Sequence, residues 1–153
     1  LALTASNGIS QTAGKFGYGG CLVVMPPMNW TSVDWIGAAI KGLPREKLFL
    51  QSKIGGTPQD VLAAIDRHRK VYDTDYIDSM LVHCMVRNGW PDAMKRVLDG
   101  FKEAKERKWI RAKGVSCHSV PAVRASVASD WAEVHLVRVN PQGKYTDGES
   151  GPG

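Results

Sequence analysis

LFLQSKIGGTPQDVLAAIDRHRKVYDTDYIDSMLVH, the stretch from Leu48 to His83, decides the fold. It opens with an apolar run, LFLQSKI, passes through a Gly-Gly-Thr-Pro turn into apolar residues at helical spacing, and closes on a second apolar run, YIDSMLVH. Strand, helix and strand at this length make one βαβ unit, whose two strands lie parallel. Each strand delivers an ionisable residue at its C-terminal end: Lys53 closes the first and His83 the second. Ligands and chemistry gather at that edge of a parallel sheet, so the pair predicts a site.

Within this unit Thr57, Pro58 and Asp60 read as an N-cap, a proline at the first helical position and an acidic first turn. Val61, Leu62, Ile65 and Val71 supply the inward stripe of the helix that follows. Downstream, Trp90-Pro91 opens a longer helix in which Met94, Val97, Leu98, Phe101 and Ala104 recur at helical spacing. IRAKGVSC, Ile110 to Cys117, reads as a strand, Ser119 as the cap of a helix through Ala128, and EVHLVRVN, Glu133 to Asn140, as the next strand. Upstream, SVDWIGAAI from Ser32 to Ile40 predicts a short helix with Trp35, Ile36, Ala39 and Ile40 on one face, ended by Gly42 and Pro44.

Residues 1–31 are the least regular part, dominated by glycine and small polar residues as far as Gly20. Within them CLVVM, Cys21 to Met25, has the composition of a strand stopped by Pro26 and Pro27. The division is thus an irregular N-terminal segment over 1–31, an α/β unit over 32–143 and a polar, Gly-rich, flexible tail over 144–153. Strands alternating with helices imply a parallel sheet with right-handed crossovers, and a repeat of roughly 30 residues suits a (β/α)8 barrel. Eight such units need about 250 residues. The expected fold is therefore a partial TIM barrel of about four parallel strands. A half-barrel leaves a sheet edge unpaired, which predicts self-association through that edge or a fragment of marginal stability.

Composition restricts the function classes. The 153 residues are 43% hydrophobic and 23% charged, ordinary for a globular domain. No run of about 18 apolar residues is present, so no membrane partner is expected. The N-terminal residues lack the basic start and apolar core of a signal peptide, and Cys21, Cys84 and Cys117 are odd in number and far apart; both point to free thiols in the cytoplasm. The net charge of +5 includes the basic run from Lys102 to Gly114. That run reads as a solvated helix face, and without a reader motif it predicts no nucleic-acid partner. His83-Cys84 and Cys117-His118 lie at two strand ends, but neighbouring strand residues face opposite ways, so each pair offers one ligand to a common site. Two ligands are too few for structural zinc, and no metal site is expected. GYGG, residues 17–20, completes no phosphate-binding motif and reads as a turn.

Taken together, REKLFLQSKI, TDYIDSMLVH, IRAKGVSCHS and VRVNPQG resemble, in order and spacing, the middle of an aldo-keto reductase, over Ile36 to Gly143. The family reduces carbonyls with a nicotinamide cofactor on a (β/α)8 barrel. The resemblance implies NADPH as cofactor and a small aldehyde or ketone as substrate. It assigns Lys53 to lowering the pKa of a tyrosine acid, His83 to orienting the substrate carbonyl, and Ser116 to contact with the nicotinamide carboxamide. Such roles suit the chemistry: a phenol with pKa near ~10 is a poor acid at neutral pH, and a nearby ammonium stabilises its phenolate.

The chain also departs from the family. In QTAGKFGYGG, Gln11 and Phe16 stand where the family has its aspartate and tyrosine, with Tyr18 two residues beyond as the candidate proton donor. Counting back instead from TSVDWIG puts Met25 and Trp30 at those positions. Cys117 replaces the family's carboxamide-contacting asparagine and is the second candidate cofactor residue, while Leu136 stands where glutamine is common. Two functional expectations follow: an NADPH-dependent carbonyl reductase with impaired activity, or a silent framework kept as an interaction domain.

Overall fold

Seven residues of LFLQSKI form the strand that the rest of the sheet is built on. The computed structural model describes residues 22–24, 30–138, 147–148 and 151–152. In chain order the elements are β1 (Leu22–Val24), α1 (Trp30–Ile40), a 3-10 turn (Arg45–Lys47), β2 (Leu48–Ile54), α2 (Val61–Val71) and β3 (Ile77–Met85). After them come α3 (Trp90–Ala93), α4 (Lys95–Glu106), β4 (Ile110–Cys117), α5 (Val120–Ala128) and β5 (Val134–Leu136). A two-stranded antiparallel ladder, β6 (Asp147–Gly148) with β7 (Gly151–Pro152), follows. β1 to β5 form one sheet in sequence order, parallel throughout. This is the partial barrel expected, with one strand more than the four anticipated, because β1 pairs with the start of β2.

Helices cover one face of the sheet. Leu50, Ile54, Met80, Val82, Val115 and Cys117 from that face form one cluster with Ile65 of α2, Val97 and Phe101 of α4, and Ala122 of α5. α2 is capped by Asp60, whose side chain accepts from the Ala63 N–H at 2.8 Å, rather than by Thr57. The helix therefore begins at Val61, and its buried stripe is Val61, Ile65 and His68, with Leu62 and Val71 partly covered. His68 stays neutral and satisfied there: its Nδ1 lies 2.9 Å from the Ala64 carbonyl, and burial lowers its pKa. Gly100 of α4 meets Val61 so closely that a Cβ would lie 2.7 Å from the valine side chain.

Three local expectations are corrected. α1 begins at Trp30, two residues early, and buries Val33, Ile36 and Ile40; Trp35 is 70% exposed and Ala39 is exposed as well. Ile36 and Ile40 are one turn apart and Val33 is three residues before Ile36, so Trp35 lies off that stripe. The helix opened by Trp90-Pro91 breaks at Met94 (φ −101°, ψ 7°) and restarts as α4, although its five expected apolar residues are all buried. Of the last strand, expected over Glu133 to Asn140, the described residues pair only over Val134–Leu136, with Glu133, Val137 and Arg138 outside it and residues 139–140 beyond the described residues.

At the N-terminal end of the strands sits a charged lock. Asp78 of β3, wholly buried, accepts from Arg45 Nη2 at 2.7 Å, from the Leu50 N–H at 2.9 Å and from Arg111 Nη1 at 3.3 Å. Arg45 also donates to Thr74 Oγ1 and to the carbonyls of Leu48 and Tyr76, and lies over the Tyr76 ring. One carboxylate thus fastens β2, β3 and β4 together. Among the described residues no helix is long and apolar enough to cross a membrane.

Candidate active site

Strand register brings the predicted residues to one face. Lys53 pairs with Leu81 and Leu81 with Gly114, so Lys53, Leu81 and Gly114 share a row, and residues two further along each strand share the same face. His83 and Ser116 are those residues in β3 and β4. The three side chains therefore stand at the C-terminal ends of adjacent parallel strands, on the face turned away from the helices.

The electrostatics follow from this crowding. Lys53 is partly buried, and loss of hydration lowers its pKa, with the electrostatic influence of Cys84 acting in the opposite direction. His83 is likewise lowered, first by burial and then by the charges of Lys53 and His118. Both shifts favour the uncharged forms, and a neutral imidazole can donate an N–H to an oxygen without carrying a full charge. Ser116 is wholly buried and its Oγ lies 3.1 Å from His118 Nε2.

Cys117, the other expected cofactor residue, points elsewhere. Alternation places it with Val115 in the helix-side cluster, where it is 0% exposed. It cannot present its thiol beside Ser116. Cys84 also breaks the alternation argument, in the opposite sense. The ladder between β3 and β4 shifts between Val82 and Met85, and Cys84 adopts φ +64°. This irregularity turns Cys84 away from the position a regular strand would assign it. Its Sγ consequently joins the ring nitrogens of His83 and His118, all within 4.8 Å of one another. The expectation of one ligand per dipeptide fails at this bulge. The two imidazoles meet edge to face, 6.0 Å between centroids at 79°.

Two loops hold this cluster in place. The His118 N–H donates to the Met85 carbonyl at 2.8 Å, and Ser119 Oγ donates to the Val86 carbonyl at 2.8 Å while accepting from the Ala122 N–H. The α5 cap is thus also the tie between the β3 and β4 loops. The remaining sequence candidates fall differently. Tyr18, Gln11, Phe16 and Met25 lie outside the described residues, Trp30 is the first residue of α1, and Leu136 ends β5, partly exposed. Cys84 and His118 are the site residues that period-two reasoning discounts; the His-Cys and Cys-His dipeptides ending paired strands were their signal.

The model of the Aldo/keto reductase family matches residues 28–142. An aldo-keto reductase of Mycolicibacterium paratuberculosis (strain ATCC BAA-968 / K-10) is 30% identical over 127 residues, covering 77% of this chain and 42% of that protein. The aldehyde reductase YPR1 of Saccharomyces cerevisiae is 41% identical over 70 residues, 42% of this chain and 20% of its own length. Among solved structures, an aldo-keto reductase from Klebsiella pneumoniae in complex with NADPH superimposes with a TM-score of 0.60 at 18% identity, over 90% of this chain and 50% of that one. The chain thus spans less than half the length of these curated relatives.

Proposed function

Because the chain belongs to the aldo/keto reductase family, we propose that it forms the proton-transfer edge of an NADPH-dependent oxidoreductase that reduces a small aldehyde or ketone. The observation that carries this reading is that Lys53, His83 and Ser116 share one sheet face, near the C-terminal ends of three neighbouring parallel strands. The donor set suits the nicotinamide end of the cofactor: a buried serine hydroxyl for a carboxamide, and an imidazole N–H and an ammonium for a carbonyl acquiring negative charge. When bound, the reduced nicotinamide supplies the hydride. The solved relative from Klebsiella pneumoniae in complex with NADPH supports the choice of cofactor.

In this reading His83, neutral at physiological pH, donates to the substrate oxygen and fixes its direction. Lys53 lowers the pKa of the phenol that delivers the proton, and Tyr18 is the residue proposed for that role. Ser116 holds the carboxamide, exchanging its bond to His118 for one to the cofactor. Cys117 has no part, being packed against the helices. Titration of the full chain with NADPH, followed by fluorescence and by thermal shift, tests the reading. Saturable binding that raises Tm, weakened by Lys53→Met, is the expected result; absence of binding up to millimolar cofactor overturns it.

A second reading has its own support. Among the described residues no carboxylate pairs with Lys53, and β5 ends the sheet with Val137 exposed beside it. A framework domain that self-associates through this edge and binds no cofactor fits both facts. Defined dimers in sedimentation velocity without any NADPH-induced stabilisation would favour it.

A further inference from the structure

His83, Cys84 and His118 together make a ligand set that the reduction chemistry does not call for. Their ligand atoms come from the end of β3 and from the residue after β4, which the bonds of the His118 N–H to the Met85 carbonyl and of Ser119 Oγ to the Val86 carbonyl tie together, and all lie within 4.8 Å of one another. A bulge with a positive φ at Cys84 is what brings the thiol round to the imidazoles. We propose that His83, Cys84 and His118 form a three-ligand site for a divalent ion of the zinc class.

Ligand chemistry selects the ion. Two imidazoles and a thiolate suit zinc and its neighbours, whereas calcium and magnesium require oxygen donors. Tetrahedral zinc, with Zn–S about 2.3 Å and Zn–N about 2.0–2.1 Å, separates its ligand atoms by roughly 3.3–3.7 Å. The three side chains therefore close by at most about 1.5 Å onto an ion, a movement within reach of the exposed Cys84 and the partly exposed histidines. Ser116 Oγ lies 3.1 Å from His118 Nε2, and a hydrogen bond at one ring nitrogen is the means by which an outer partner fixes an imidazole that ligates through the other. Three protein ligands leave a fourth position for water or substrate, as in open zinc sites.

This inference does not rest on the reductase reading, with which it shares His83 and the Ser116 that supports the ring of His118. An ion held by His83 withdraws that imidazole from a carbonyl, so the two uses exclude one another. Lys53 separates them experimentally: its replacement by methionine weakens NADPH binding but, by removing a like charge, strengthens metal binding severalfold.

The test is titration of the reduced, chelator-treated full chain with Co2+, following the thiolate-to-metal charge-transfer band and the visible bands of a tetrahedral ion. Binding of one Co2+ per chain, displaced by Zn2+, is expected, with the charge-transfer band lost in Cys84→Ser and retained in Cys21→Ser. His118→Phe is expected to weaken binding by at least the ~10- to 100-fold typical of lost outer partners, and Ser116→Ala by about that range. As a second measurement on the unaltered chain, Zn2+ should protect Cys84 from alkylation, read by peptide mass spectrometry. Absence of a thiolate band at millimolar Co2+, a band that survives Cys84→Ser, or undiminished alkylation of Cys84 in Zn2+ would each overturn the proposal.

Discussion

Replacing Asp78 tests whether one buried carboxylate holds the three central strands together. In Asp78→Ala the Leu50 N–H loses its acceptor inside the sheet, a loss of about 1–3 kcal/mol. Breaking a fully buried ion pair adds about 3–5 kcal/mol, because the partner charge is left without compensation. That figure must be reduced here. The Arg45 and Arg111 side chains are 23% and 43% exposed, and Arg45 keeps Thr74 Oγ1 and the carbonyls of Leu48 and Tyr76 as acceptors. A net loss of about 3–4 kcal/mol remains. With a urea m-value of about 1–2 kcal/mol/M for a domain of this size, the midpoint falls by roughly 2 M. Asp78→Asn keeps an acceptor for Leu50 but not the charge, so about half that loss is expected. Urea melts of the two variants provide the assay. An alanine variant less than about 1 kcal/mol below the parent, or an asparagine variant as unstable as alanine, would refute the reasoning.

Other outcomes follow from the same structure. Burial pushes the Tyr72 phenol up to about 12. The folded chain therefore keeps a proton that the unfolded chain releases from pH ~10, and stability falls by up to about 2.7 kcal/mol as pH rises through that window; in Tyr72→Phe this part of the alkaline slope should disappear from melts collected between those limits. Gly114→Ala puts a Cβ 2.4 Å from the Val134 carbonyl oxygen and 2.5 Å from Leu81 Cδ2. A loss of about 1–3 kcal/mol, with faster amide exchange along β5, is expected, and an unchanged exchange pattern would show that the strand does not sit so close. Ser119→Ala removes both the α5 cap and the tie to Val86; thermal melts should record a loss of about 1–2 kcal/mol, more than an exposed cap alone contributes.

Much of the framework could be read from the chain because apolar period and secondary structure agree there. β4 runs from Ile110 to Cys117 and α5 from its Ser119 cap to Ala128, as their residues imply. Where competing signals met, local chemistry was ambiguous. Thr57 and Asp60 are both good caps, and the choice fell to whichever reached an open N–H, which is Asp60 on Ala63. Trp35 is apolar by type, yet the stripe set by Val33, Ile36 and Ile40 passes it by. His68 is polar by type and buried, because a carbonyl one turn back satisfies it. The strand-end positions of Lys53 and His83 were legible from the βαβ pattern alone, while Ser116 was named only through the family resemblance. The approach of Cys84 to the two histidines was not, since a strand's alternation gives no notice of where a bulge will reverse it.

The Asp78 lock and the His83 site occupy opposite ends of one strand. Five residues separate them, a rise of about 16 Å at ~3.3 Å per residue. Reactivity and robustness can therefore drift independently in this chain. Substitutions around Lys53, His83 and Ser116 at the upper rim leave untouched the contacts of Asp78 that hold the strands in register at the lower one. A piece of barrel with its fastening at one rim and its reagents at the other is a part that can be re-equipped without being rebuilt.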